Sequence, residues 1–157
     1  MLDYSAGLPE IQLAPGDVVV EEGGATGGLW ILLEGSLSVS RRGVAVNRVN
    51  RPGATVGDMS ILLDAPFSAT VRAETAARMR HAADGKGFLL SDPAIMMLVA
   101  AGVAERLNFV TTYLADLKNQ YGDAPGLDMI PDVLARLADR QSEPAHPGSA
   151  RDPDPEY

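Results

Sequence analysis

Turn-forming residues divide residues 11–56 into short segments of similar length. Glycine and proline recur there at intervals of roughly eight to ten residues, and these residues mark tight turns. Between the turns, residues 37–40 and 44–49 alternate apolar and polar side chains, which is typical of half-buried antiparallel strands. The turns are Pro15-Gly16-Asp17, Glu22-Gly23-Gly24, Gly27-Gly28, Gly35, Arg42-Gly43 and Pro52-Gly53. This spacing predicts a small antiparallel β-barrel or jelly roll.

A long helix is expected after the strands. Residues 69–81 predict one or two more strands, and a helix is predicted from about residue 93 to 121. Asp92 is suited to cap this helix, and Pro93 is suited to its first turn, where a missing N–H group is no loss. We therefore expect an α+β fold that is mainly β. It would be an antiparallel jelly-roll barrel, or double-stranded β-helix, with one short helix and a long C-terminal helix.

The pattern predicts one domain and two smaller segments. Residues 1–121 would form the domain, and residues 122–140 would hold a short accessory helix near 131–140. Residues 141–157 contain four prolines and no aliphatic side chain larger than alanine. We expect this acidic tail to be disordered, because it cannot bury enough apolar surface to offset the entropy lost on ordering.

The second half of the long helix carries an apolar seam. Its members recur at alternating spacings of three and four residues, the pattern of a coiled-coil surface. They include Val103, Leu107, Val110, Leu114 and Leu117. This predicts a homodimer through the long helix; the alternative is that the helix packs along its own barrel. Residues 94–100 are apolar on nearly all sides and are expected to be buried.

Composition argues against several classes of function. The net charge is −8, and there is no cysteine, so we expect no nucleic-acid partner, no anionic-membrane partner and no thiolate metal site. The sequence shows neither a signal peptide nor an apolar run of roughly 18 residues. A cytoplasmic protein without a membrane span is predicted.

The histidines give no sign of catalysis. His81 and His146 are the only two, and neither is accompanied by the nucleophile and acid that a catalytic group requires. We expect a protein that is not an enzyme and that requires no cofactor or metal.

Residues 56–71, VGDMSILLDAPFSATV, have the pattern of an anion-binding turn. Gly57 permits a positive φ or a close backbone approach, and Asp58 begins a short apolar helix in which Ile61 and Leu62 are expected to face the core. The free N–H groups at a helix start attract anions. A strand at 69–71 would return across the same concavity, which predicts a phosphate cradle.

This stretch resembles the phosphate-binding cassette of cyclic-nucleotide-binding domains, and residues 56–71 are called the cassette below. The similarity extends over about residues 8–121 and includes PGDVVVEEGG, WILLEGSLSV and the long helix. It implies a non-enzymatic sensor whose candidate ligand is cyclic AMP or cyclic GMP. No DNA-binding domain is expected, so the output would pass through an unknown effector protein.

The resemblance assigns roles to individual residues. It places the amides of Gly57 and its neighbours, with that of Ala69, toward the cyclic phosphate. It places Asp58 where the family has a glutamate that accepts a hydrogen bond from the ribose 2′-hydroxyl. The remaining ligand residues that it implies are Met59, Ser60, Ser68, Thr111 and Thr112; Ser68 is equally suited to a local turn, and the threonines to an exposed helix surface.

Phe67 is the departure from the family pattern, which has an arginine at this position to pair with the phosphate. Arg72 is on the wrong side of its strand to replace it, and nothing in the sequence requires Arg106 to reach the cassette. Three interpretations remain. The chain is a weak cyclic-nucleotide sensor, a binder of an apolar or aromatic ligand lined by Phe67, or a ligand-free dimerisation or interaction module.

Overall fold

The computed structural model describes residues 1–121 and 129–142. It divides into two compact units, residues 1–104 and residues 105–157. The predicted accessory segment and tail fall partly outside the described residues, at 122–128 and 143–157. The predicted domain boundary at residue 121 stays a prediction.

Eight strands form the barrel. In chain order they are β1 (Glu10–Leu13), β2 (Val18–Val20), β3 (Leu29–Glu34), β4 (Leu37–Arg41), β5 (Val44–Val49), β6 (Thr55–Val56), β7 (Thr70–Ala73) and β8 (Ala77–Ala82). They make two four-stranded antiparallel sheets, ordered β1-β8-β3-β6 and β2-β7-β4-β5. The predicted mainly β jelly roll is confirmed.

Four helices accompany the strands in the described residues. They are α1 (Asp58–Leu63), α2 (Gly85–Leu90), α3 (Pro93–Tyr121) and α4 (Met129–Ser142). The limits of α3 are those predicted, and Asp92 caps it by accepting a hydrogen bond from the Ala94 N–H at 2.7 Å. Helix α4 is longer than the predicted 131–140 and includes residues 141–142, which were expected to be disordered.

Successive side chains of β3 point to opposite faces of the sheet, and apolar side chains lie on both faces. Leu32 joins a cluster that contains side chains from both sheets and therefore lies between them. Leu29 and Ile31, on the other face, pack with Leu89 of α2 and Val99 of α3. Strand β3 is thus shared by the barrel interior and by a second layer of helices, which explains why its sequence is almost continuously apolar.

The start of α3 is buried on one face only. Ile95 and Val99 belong to the second cluster, whereas Met97 is 70% exposed and Leu98 is also exposed. The expectation that residues 94–100 are buried on nearly all sides was wrong, because a helix lying on a barrel presents only one stripe to it.

Helix α3 also has the length and composition of a membrane span, contrary to the sequence-based expectation. The segment Pro93–Gln120 contains an 18-residue window with a mean hydropathy of 1.4, of which 11% is buried. Every such window with no more than two charged residues includes Glu105 and Arg106. A single helix of this kind is weak evidence for a membrane span, since the resemblance rests on length and composition alone.

Candidate functional site

The second residue of the cassette is a glycine that the fold requires. Gly57 has a φ of +96°, and a Cβ atom at this position would lie 2.5 Å from the Gly28 carbonyl oxygen. Such a φ is unfavourable for any other residue, and no real Cβ approaches a backbone oxygen so closely. The predicted positive φ and close backbone approach at Gly57 are both confirmed.

We predict that Gly57→Ala destabilises the chain more than Gly53→Ala does. Gly53 has a φ of +85°, but a Cβ there would meet nothing closer than 3.7 Å. Backbone strain of about 1–3 kcal/mol is expected in both variants, and the clash with Gly28 is added only at Gly57. Thermal unfolding measures the difference, and equal midpoints for the two variants would show that the contact with Gly28 is unimportant.

Helix α1 is buried on the side of Asp58, Ser60 and Ile61. Asp58 and Ser60 are buried, and Ile61 packs against the second cluster. Met59, Leu62 and Leu63 are exposed, so the expectation that Leu62 faces the core was wrong. At about 100° per residue, Leu62 lies about 40° from Asp58 but about 100° from Ile61 and 160° from Ser60, so it falls at the edge of the buried side.

The Asp58 carboxylate is buried and accepts hydrogen bonds from neighbouring residues. The residue is 3% exposed. Its Oδ2 accepts a hydrogen bond from the Thr55 hydroxyl at 2.9 Å, and its Oδ1 accepts one from the Met59 N–H at 2.9 Å. Asp58 therefore connects β6 to the first turn of α1.

Phe67 points into the barrel and is 8% exposed. Its ring belongs to the cluster between the sheets and meets the Trp30 ring edge-on, with 6.0 Å between the ring centroids. Its backbone is fixed to the β2–β3 connection. The Phe67 N–H donates to the Gly24 carbonyl oxygen at 3.0 Å, and the Gly23 N–H donates to the Phe67 carbonyl oxygen at 2.7 Å.

Trp30 links Phe67 to two other parts of the site. The Trp30 ring stacks on the His81 ring, with 4.6 Å between centroids and 14° between planes. The same ring lies 3.5 Å from the position of a Cβ on Gly57. Trp30 is partly buried and packs against the cluster between the sheets. The sequence did not indicate that it would lie beside the cassette.

The remaining predicted ligand residues divide between the two units. In the first unit Ser68 is exposed and Ala69 is partly buried, just before β7. In the second unit the Thr111 hydroxyl donates to the Leu107 carbonyl oxygen at 2.8 Å, and Thr112 is exposed. The ligand-binding roles of all of these residues stay predictions.

Three arginines of β7 and β8 have partners outside the cassette. The exposed Arg72 donates to the Gly16 carbonyl oxygen, in agreement with the predicted direction of this side chain. Arg80 pairs with Glu10, and Arg78 pairs with Glu34. Hydrogen bonding to Glu34 raises the pKa of Arg78, so this guanidinium keeps its charge at the barrel surface.

Residues 10–83 match the family model described as the cyclic nucleotide-binding domain. The match contains β1 to β8 and the whole cassette. These residues have the cyclic nucleotide-binding domain fold. No curated protein sequence matches this chain.

Several solved structures are similar to this domain. The N-terminal domain of a transcriptional regulator from Streptomyces coelicolor A3(2) is 27% identical, with a TM-score of 0.51, and the alignment covers 69% of this chain and 81% of that one. A structure described as Sp-2Cl-cAMPS bound to PKAR CBD2 is 17% identical with a TM-score of 0.53, covering 80% and 79%.

A third similar structure comes from work on a cyclic-GMP-dependent signalling pathway that regulates bacterial phytopathogenesis. It is 20% identical with a TM-score of 0.57, and the alignment covers 68% of this chain and 89% of that one. Two further matched chains are longer, and this chain spans only 27% and 37% of their lengths. The likenesses below 25% identity support the fold of the cyclic nucleotide-binding domain and nothing more specific.

Proposed function

We propose that this chain is a non-catalytic regulatory module that binds cyclic AMP or cyclic GMP weakly. The observation that carries the proposal is the match of residues 10–83 to the cyclic nucleotide-binding domain family. The cassette lies inside this match. It has a glycine with positive φ before the short helix α1, and strand β7 follows that helix, as expected of the family. Domains of this family are generally regulatory, which supports a sensor role.

Weak binding is proposed because Phe67 brings no charge to the cassette. A hydrogen bond to a charged group contributes roughly 1.5–3 kcal/mol, which corresponds to a tenfold to 150-fold change in affinity. The Phe67 ring is instead packed against Trp30 in the barrel interior. Arg72, Arg78 and Arg80 hold other partners, so none of them is positioned to replace the missing cation.

A homodimer through α3 is the second part of the proposal. Leu107 and Val110 of the predicted seam are 40% and 48% exposed, and Phe109 and Tyr113 on the same helix are also exposed. A second copy packed on the seam would cover Leu107 and Val110, with Arg106 at its edge and Glu105 on the far side of the helix. A bilayer would not tolerate these two charges, since a charge at its centre costs about 2.5–3.5 kcal/mol even on the most permissive scale.

The signal would reach an effector protein through the pose of α3. Occupancy of the cassette would change the equilibrium between poses of the helix, and it can do so only by the difference in ligand affinity between them. The identity of the effector, the cytoplasmic location and the absence of a nucleic-acid partner stay predictions.

A ligand-free interaction module is the second candidate. The burial of the Phe67 ring favours it, because an apolar side chain there helps to fill the barrel without any ligand. In this case the exposed apolar side chains of α3 would carry the function. The apolar-ligand interpretation also stays open.

Trp30 provides a direct test of the proposal. It is the only tryptophan in the chain, and it lies beside Gly57. We expect a saturable change in its fluorescence on titration with cyclic AMP or cyclic GMP, and none with 5′-AMP at equal concentration, because the linear phosphate differs in shape and charge. Identical responses to the cyclic and linear nucleotides would argue for the second candidate.

A further inference from the structure

A buried hydrogen bond within the cassette bears on which part of a ligand the site can recognise. The Thr55 hydroxyl donates to Asp58 Oδ2, and the Met59 N–H donates to Asp58 Oδ1, both at 2.9 Å. Hydrogen bonds to a carboxylate are stronger than those between neutral groups. Both oxygens of Asp58 are therefore engaged before any ligand arrives.

The burial of Asp58 strengthens this point. An acceptor for a ligand hydroxyl has to face a space that the ligand can enter, but Asp58 is only 3% exposed. Thr55 cannot move aside freely, since it lies in β6 and is paired with Ile31 of β3. A ligand hydroxyl would have to displace the Thr55 hydroxyl or share Oδ2 with it.

We propose that Thr55 determines ligand specificity, because its hydroxyl fills the hydrogen-bond acceptor site on Asp58 Oδ2. Asp58 is then a positioning residue that holds the start of α1 against β6, and it does not recognise the 2′-hydroxyl of a ribose. Thr55 takes the place of that hydroxyl, so the site binds ribose and 2′-deoxyribose cyclic nucleotides equally. This inference rests on the proposed binding of cyclic nucleotides.

The test compares cyclic AMP with 2′-deoxy cyclic AMP on the full chain. We expect affinities within about twofold of each other for the natural protein and for Thr55→Ser, which keeps the hydroxyl. Thr55→Ala removes the donor and opens space beside Oδ2, so this variant should prefer cyclic AMP by about tenfold, the value of one hydrogen bond to a charged group. A natural protein that already prefers cyclic AMP tenfold, or a Thr55→Ala variant with no preference, would overturn the proposal.

A second measurement keeps this inference separate from the proposed function. If neither nucleotide binds, the proposed function fails, and the melting temperatures of Thr55→Val, Asp58→Asn and the double variant decide the positioning role. We expect Thr55→Val to lower the midpoint by roughly 5–10 °C, Thr55→Ser to restore most of it, and the double variant to lose less than the sum of the single losses. Additive losses would show that the two side chains act independently.

Discussion

Phe67→Arg is expected to tighten the binding of a cyclic nucleotide by tenfold or more. Phe67 lies in the cassette loop, with its backbone fixed to Gly23 and Gly24 by two hydrogen bonds, so the new side chain would start from the same anchored position. A guanidinium can pair with the cyclic phosphate in a charge-assisted bond that contributes roughly 1.5–3 kcal/mol. Calorimetric titration of both proteins measures the ratio of affinities.

The same substitution should lower the stability of the ligand-free chain. The Phe67 ring is 8% exposed and packs with Trp30, and truncating a buried phenylalanine costs about 3–5 kcal/mol. Phe67→Leu is the matched control, because it keeps an apolar side chain and adds no charge. If Phe67→Arg binds no more tightly than Phe67→Leu, the phosphate does not lie at this position.

The double variant Leu107→Glu with Leu114→Glu is expected to be a monomer. Leu107 is exposed and Leu114 is half-buried on α3, and both belong to the predicted seam. In a dimer each introduced carboxylate would be buried without a partner, and a buried unpaired charge costs several kcal/mol. Sizing chromatography with light scattering should show the natural chain as a dimer and this variant at half the mass.

The control for the seam is Asn108→Glu with Asn119→Glu. It adds the same charge to the same helix. At 100° per residue, however, Asn108 and Asn119 lie about 160° and 180° around the helix from Val110, the middle residue of the seam. This variant should remain a dimer. A dimer that survives the leucine substitutions, or one that the asparagine substitutions also break, would place the interface elsewhere.

The strands could be predicted because turns and alternation are local signals. At the β4–β5 hairpin, Arg42 and Gly43 both have positive φ values, of 51° and 76°, which is the geometry that a two-residue turn requires. Helix α2 was not predicted, since Gly85 and Gly87 have low helix propensity. It forms because the Asp84 side chain accepts a hydrogen bond from the Gly87 N–H and because Leu89 is buried under β3.

The backbone conformation of the candidate site could be predicted from the sequence, but the contacts between its side chains could not. The position of Gly57 and the start of the short helix follow from residues adjacent in sequence. The contact of Trp30 with Phe67 and the packing of Gly57 on Gly28 join segments far apart in the chain. Nothing in a single sequence specifies which strands bring such residues together, and the exposure of Leu62 was misjudged because a short apolar run does not show which side faces the barrel.

Calorimetric titration of the natural chain with cyclic AMP and cyclic GMP tests the central claim most directly. The account predicts saturable binding of at least one of them, weaker than that of Phe67→Arg by tenfold or more, accompanied by a rise in the melting temperature as ligand binds the folded state. No heat and no thermal shift with either nucleotide at millimolar concentration would contradict it.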